Sequence, residues 1–119
     1  MGSAGEGRKM DGAVTEYLER YSDEVRELFC RLRRLVLEAA QPEPEERMWA
    51  KLPSYYVNDS FVRLIPFRDH INVQAKAIPD HREELAGYRI TPKGMLQIGL
   101  KQELPEAPLK RIFAETFAG

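Results

Sequence analysis

The sequence predicts an α+β fold in which helices precede and follow a small antiparallel sheet. Three strand-like segments follow one another from Arg47 to Lys76 with almost no linker, which is typical of an antiparallel meander. Helical spacing of apolar residues occupies the chain on both sides of this stretch. We therefore predict two N-terminal helices, an antiparallel sheet of about four to five strands, a short inserted helix and a C-terminal helix.

Two helices are predicted before Pro42. Apolar residues at positions 14, 17, 18 and 21 form one stripe, and a longer stripe extends from Val25 to Ala39. Ser22 has the side chain of a helix N-cap, and two acidic residues follow it where negative charge favours the helix dipole. Pro42 and Pro44 are expected to end the second helix.

The first strand-like segment is Glu46–Leu52, which Pro53 is expected to interrupt. Its side chains should point alternately to the two faces, with Arg47, Trp49 and Lys51 on one and Met48, Ala50 and Leu52 on the other. Ser54–Val57 then leads into a polar hairpin turn at residues 58–60.

Two further strands and a second helical region complete the pattern. Pro66 within Phe61–Phe67 predicts an edge position or a bulge near the end of that strand. His70–Lys76 alternates cleanly, with its apolar residues facing inward. A short helix is predicted from Pro79 to Leu85, another strand over Met95–Leu100, and a last helix from about Pro105.

Composition indicates one globular domain over residues 11–119, preceded by a flexible leader at residues 1–10. The 18 basic and 19 acidic residues give a net charge of −1, which argues against nucleic-acid and membrane-surface partners. No apolar run reaches the length of a membrane helix. The single cysteine, Cys30, cannot form an internal disulfide, so we expect a cytoplasmic protein.

No catalytic group is apparent, and we expect a protein that is not an enzyme. Cys30 lies next to the apolar face of its helix and is interpreted as structural; the alternative is pairing with His70 or His81. Each histidine follows an aspartate in sequence. Neighbours on a strand point opposite ways, so neither dipeptide is expected to form a ligand pair.

Four glutamates crowd the link from the second helix to the first strand. Carboxylates converging from such a segment could bind Fe²⁺ or another hard cation, and Glu43, Glu45 and Glu46 are the best candidate ligands. The alternative is a solvated acidic loop.

The outward face of the sheet is the other candidate site. Its expected polar and aromatic residues are Arg47, Trp49, Lys51, Asn72, Gln74 and Gln97, joined by either Tyr55 or Tyr56 according to register. From residue 47 to 76 there are five basic and two acidic residues. Such a face suits a partner protein, an anionic small molecule or a second copy in a homodimer, with Trp49, Lys51, Arg63 and Gln74 as the binding residues.

An ordered series of sequence blocks resembles the YdhG-like family, a bacterial domain-of-unknown-function family (number 1801). The blocks are Val14–Leu18, Glu24–Leu28, Arg33–Ala40, Leu52–Tyr56, Phe67–Ile71, Glu84–Tyr88, Lys93–Ile98 and Leu104-Pro105. The resemblance implies a compact α+β fold in a cytosolic protein without established catalytic residues. Some relatives are described as frataxin-like iron chaperones, which would make iron and an iron-accepting protein the partners. Many relatives carry an aromatic-Gly pair where Ala50-Lys51 stands here.

Overall fold

Six antiparallel strands form one sheet, and three α-helices pack on one of its faces. The computed structural model describes residues 8–119. The helices are α1 (Gly12–Leu18), α2 (Asp23–Leu37) and α3 (Glu106–Ala118), and a 3-10 helix spans Ile78–Leu85. The strands are β1 (Glu45–Trp49), β2 (Leu52–Val57), β3 (Ser60–Pro66), β4 (His70–Ala75), β5 (Arg89–Ile90) and β6 (Leu96–Gly99), in the spatial order β1-β2-β3-β4-β6-β5. The α+β class is confirmed.

Side-chain caps begin the first two helices. The carboxylate of Asp11 accepts hydrogen bonds from the backbone N–H groups of Ala13 and Val14 at the start of α1. Ser22 caps α2 as predicted, because its hydroxyl accepts from the backbone N–H of Val25 over 3.3 Å. These caps satisfy donors that the first turn of a helix leaves without partners.

The core lies between the helices and the inward face of the sheet. β3 and β4 contribute Val62, Leu64, Ile71 and Val73, all fully buried, opposite buried residues of the helices that include Phe29, Leu32, Leu109 and Phe113. Each such side chain contributes about 1.5–3 kcal/mol through its removal from water. The alternation predicted for β4 is therefore confirmed, with Ile71, Val73 and Ala75 inward.

The segment predicted as one strand over Glu46–Leu52 instead contains most of β1, a tight turn and the first residue of β2. Ala50 and Lys51 form this turn with φ angles of 51° and 67°, and Trp49 pairs with Leu52 across it. Positive φ at two successive residues is the geometry of a hairpin turn that usually contains glycine or asparagine. The turn was missed because neither residue type is present.

Two prolines occupy positions other than those predicted. Pro53 lies inside β2, opposite Met48, and does not interrupt the strand. Proline has no backbone N–H to donate, but this removes no hydrogen bond between β2 and β3, because the pairing of those two strands begins at Ser54. Pro66 lies at the end of β3, which is an interior strand, so the predicted edge position is wrong.

The predicted leader, residues 1–10, falls mostly outside the described residues. Within them, Arg8 donates to the backbone carbonyl of Pro44, and Met10 packs against the core. Within residues 8–119, none of the helices has the length and apolar character needed to cross a bilayer.

Candidate functional site

The outward face of the sheet carries an ordered row of aromatic and basic side chains. The register of β1, β2 and β3 places Tyr55 inward, where it is fully buried, and Tyr56 outward. The same register brings Arg47, Trp49, Tyr56, Phe61 and Arg63 onto one face. We refer to these five residues as the aromatic–arginine cluster.

Arg63 is the centre of this cluster. Only 6% of the residue is exposed, although it lies on the face opposite the helices. Its Nε donates to Ser54 Oγ over 2.8 Å, Nη1 donates to Gln74 Oε1 over 3.2 Å, and Nη2 donates to the Tyr56 hydroxyl over 3.2 Å. Three hydrogen bonds to residues on the two neighbouring strands thus fix the plane of the guanidinium.

Both arginines of the cluster stack on aromatic rings. The guanidinium carbon of Arg63 lies 4.3 Å from the ring centroid of Trp49 and 4.2 Å from that of Phe61. Arg47 covers the ring of Tyr56 at 4.2 Å. Cation–π contacts of this kind contribute about 0.5–1 kcal/mol when exposed and about 2 kcal/mol when desolvated. Trp49 is therefore held in position even though 51% of it is exposed.

The cluster carries positive charge that the surrounding carboxylates balance only in part. Arg47 reaches Glu45 at 4.0 Å, and both side chains are well exposed. None of the ion pairs formed by residues 8–119 includes Arg63. Lys51 stands exposed in the turn that follows Trp49. The surface can therefore hold an apolar group against Trp49 while attracting negative charge.

The structure brings together three of the four predicted binding residues. Trp49 and Gln74 both contact Arg63 directly, whereas Lys51 lies in the hairpin turn and not on the strand face. Sequence reasoning missed Phe61, which is two residues before Arg63 and hence on the same face. The two-residue spacing between Phe61 and Arg63 was the feature of the sequence that could have identified it.

The three glutamates predicted as metal ligands are not gathered at one point. Glu46 faces the core: Arg33 Nε donates to Glu46 Oε2 over 2.6 Å, and Arg33 Nη2 donates to Oε1 over 3.2 Å. The Tyr55 hydroxyl and the Asp11 backbone N–H also donate to this carboxylate, over 2.7 and 2.8 Å. Burial by itself raises the pKa of Glu46, but these hydrogen bonds outweigh it and lower the pKa below its ordinary value.

The other two glutamates have separate surroundings. Glu43 lies 3.6 Å from Arg8. Glu45 is exposed, and it points away from Glu46 because neighbours on a strand face opposite sides. No set of three histidine, cysteine or acidic residues within the described part of the chain is arranged to hold a metal ion.

Comparison with known proteins adds no family to this geometry. No family model matches the chain, and no curated protein or solved structure matches it. The resemblance to the YdhG-like family and the iron hypothesis that follows from it stay predictions.

The two histidines are partly buried, and the cysteine is exposed. Asp69 Oδ1 lies 2.7 Å from His70 Nδ1, contrary to the expected divergence, because Asp69 belongs to the turn before β4. His81 contacts Glu84 and Glu115 through its two ring nitrogens. Cys30 is exposed on α2.

Proposed function

We propose that this chain is a non-catalytic cytoplasmic binding module whose aromatic–arginine cluster holds an acidic segment of a partner protein. The observation that carries the proposal is the state of Arg63. It is a nearly buried guanidinium without a carboxylate among the described residues, and it holds a half-exposed tryptophan in place. Tryptophan and arginine are the residues most enriched where partner proteins bind tightly.

Preorganisation makes the cluster suitable for binding. Immobilising a side chain on binding costs about 0.5–1.5 kcal/mol of binding free energy. The contact with Arg63 already restrains Trp49 before a partner binds, so this cost is reduced. The cluster also forms a broad strand surface, which suits an extended protein segment better than a small ion.

Charge selects the class of partner. Arg47 and Lys51 are exposed beside Trp49, so acidic side chains of a partner would meet complementary charge. A second copy of this chain docked through the same face would bring like charges together. The basic character therefore favours an acidic partner over a homodimer. The single cysteine is consistent with a cytoplasmic location.

Selection of peptides from a random display library tests the proposal while the natural partner is unidentified. We expect the selected peptides to be acidic and to bind Trp49→Ala about thirtyfold more weakly than the natural chain. Phe67→Ala is the matched control, because Phe67 is also an exposed aromatic residue but lies outside the cluster. Binding should be unchanged in that variant.

Charge-reversal variants provide a second test of the proposal. Lys51→Glu should weaken binding of the selected peptides and reduce its dependence on salt, whereas Lys110→Glu on α3 should do neither. Selection of neutral or basic peptides, or equal binding to Trp49→Ala, would contradict the proposal. The iron-chaperone hypothesis is supported by the family resemblance alone, and titration with Fe²⁺ tests it separately.

A further inference from the structure

A cavity of about 550 Å³ opens beside the end of β4, next to the aromatic–arginine cluster. Its walls come from the turn between β2 and β3, from β3 and β4, from the start of the 3-10 helix, from the Lys93-Gly94 turn and from the end of α3. This volume falls in the range of about 300–1,000 Å³ that is typical of small-molecule sites.

The cavity combines apolar side chains with two ammonium groups. Phe61, Ala75 and Pro79 contribute apolar surface, and Lys76 and Lys93 contribute positive charge. In residues 8–119, neither lysine takes part in any of the ion pairs. Asp59 also lines the cavity, and its carboxylate offsets one of these two positive charges.

Local geometry fixes the turn that carries Lys93. The backbone N–H of Gly94 donates to the carbonyl of Thr91 over 2.8 Å, and the N–H of Met95 donates to the Thr91 hydroxyl over 3.1 Å. Gly94 has a φ of +87°, a conformation that side chains disfavour. The position of Lys93 at the cavity is therefore determined by the fold.

A buried hydroxyl fixes the opposite wall. Thr116 on α3 is 3% exposed, and its Oγ1 accepts a hydrogen bond from the backbone N–H of Ala77 over 3.2 Å. This bond joins the end of α3 to the residue that precedes the 3-10 helix. The cavity is thus bounded by connected elements, which favours a preformed site.

We propose that this cavity binds a small organic monoanion with an apolar body, such as an aryl carboxylate. The apolar body would lie against Phe61 and Pro79, and its carboxylate would meet Lys76 and Lys93. Asp59 would oppose ligands that carry several negative charges. This site adjoins the aromatic–arginine cluster: Phe61 belongs to that cluster, and Gln74 accepts a hydrogen bond from its Arg63.

Titration of the ¹⁵N-labelled chain with 2-naphthoate, followed by amide NMR, tests the inference. We expect saturable shifts confined to the cavity walls, with a millimolar or tighter dissociation constant. Two probes test the halves of the ligand separately: the uncharged 2-naphthalenemethanol keeps the apolar body, and inorganic phosphate keeps the negative charge. Both should bind at least tenfold more weakly than 2-naphthoate.

Lysine variants assign the anion contact. Lys76→Met and Lys93→Met should each weaken 2-naphthoate binding about threefold, and the double variant about tenfold. Lys101→Met is the matched control, because Lys101 is exposed but does not line the cavity. Its affinity should be unchanged.

The absence of saturable shifts at the cavity would overturn the inference. Equal binding of the alcohol or of phosphate would also overturn it, as would lysine variants that bind normally. The peptide measurements on Trp49 are independent of these outcomes, so failure of one proposal can be distinguished from failure of the other.

Discussion

Arg33 and Glu46 form a two-point ion pair in the core, with N···O distances of 2.6 and 3.2 Å. The pair joins α2 to β1, and Tyr55 and the backbone of Asp11 donate to the same carboxylate. Four parts of the fold therefore meet at one buried charge. A buried charge is stable only while its partners remain in place.

Replacement Glu46→Gln should lower the free energy of unfolding by about 3–5 kcal/mol, because it leaves Arg33 buried without its carboxylate. Urea denaturation at neutral pH measures this change. Glu45→Gln is the matched control, since Glu45 is exposed on the same strand, and its effect should stay within about 0.5 kcal/mol. Equal effects of the two variants would show that the buried pair does not stabilise the fold.

The same ion pair predicts that the stability of the fold depends on pH in the acid range. Folding lowers the pKa of Glu46 below its ordinary value of 4.5. The contribution of Glu46 to stability is therefore fully present at pH values above 4.5 and is lost as the pH falls through the lowered pKa. The difference in stability between the natural chain and Glu46→Gln should therefore shrink on acidification. Denaturation midpoints of both proteins from neutral pH downward would show whether it does.

The geometry also predicts the result of an iron titration. We expect no saturable change in the amide spectrum of residues 38–46 on anaerobic addition of Fe²⁺ to millimolar levels, with Mg²⁺ as the control. The reason is that Glu46 would have to leave Arg33 and Tyr55 to bind a metal ion. Saturable shifts specific to Fe²⁺ there would instead support the iron-chaperone hypothesis.

Arg63→Met should release Trp49. Trp49 is the sole tryptophan of the chain, so its fluorescence reports on this position alone. We expect emission at longer wavelength, and a loss of about 1–3 kcal/mol in the free energy of unfolding as Ser54 and Gln74 lose a donor. Arg89→Met, at an exposed position on β5, should leave the emission unchanged. Unchanged emission in Arg63→Met would mean that Arg63 does not hold the ring.

His81 should make stability depend on pH near neutrality. Hydrogen bonds to Glu115 and then to Glu84 raise the pKa of His81 above its ordinary value of 6.5, and Arg111 also pairs with Glu84. The contribution of His81 to stability is therefore fully present below pH 6.5 and is lost as the pH rises through the raised pKa. Thermal midpoints across this range should fall with pH in the natural chain and not in His81→Gln. His70→Gln, as the control, should keep the dependence.

Features that depend on neighbours in sequence were predicted correctly. The cap at Ser22 needs only a hydroxyl before an apolar stripe, and the alternation of β4 follows from the two-residue period of a strand. The α+β class followed from the order of these patterns. The sheet has six strands, where about four to five were expected, because one strand was split by the turn at Ala50 and Lys51 and two-residue β5 carries no periodic signal.

Sequence patterns were enough to predict the fold class, the helix cap at Ser22 and the outward placement of Trp49 and Gln74, because strand periodicity and capping are local properties. The roles of Glu46 and Arg63, in contrast, depend on how distant parts of the chain pack together. A charged residue in a strand is usually solvated, and its burial depends on partners far along the chain. Glu46 is buried by Arg33, thirteen residues away, and Arg63 by an aromatic ring brought to it through strand pairing.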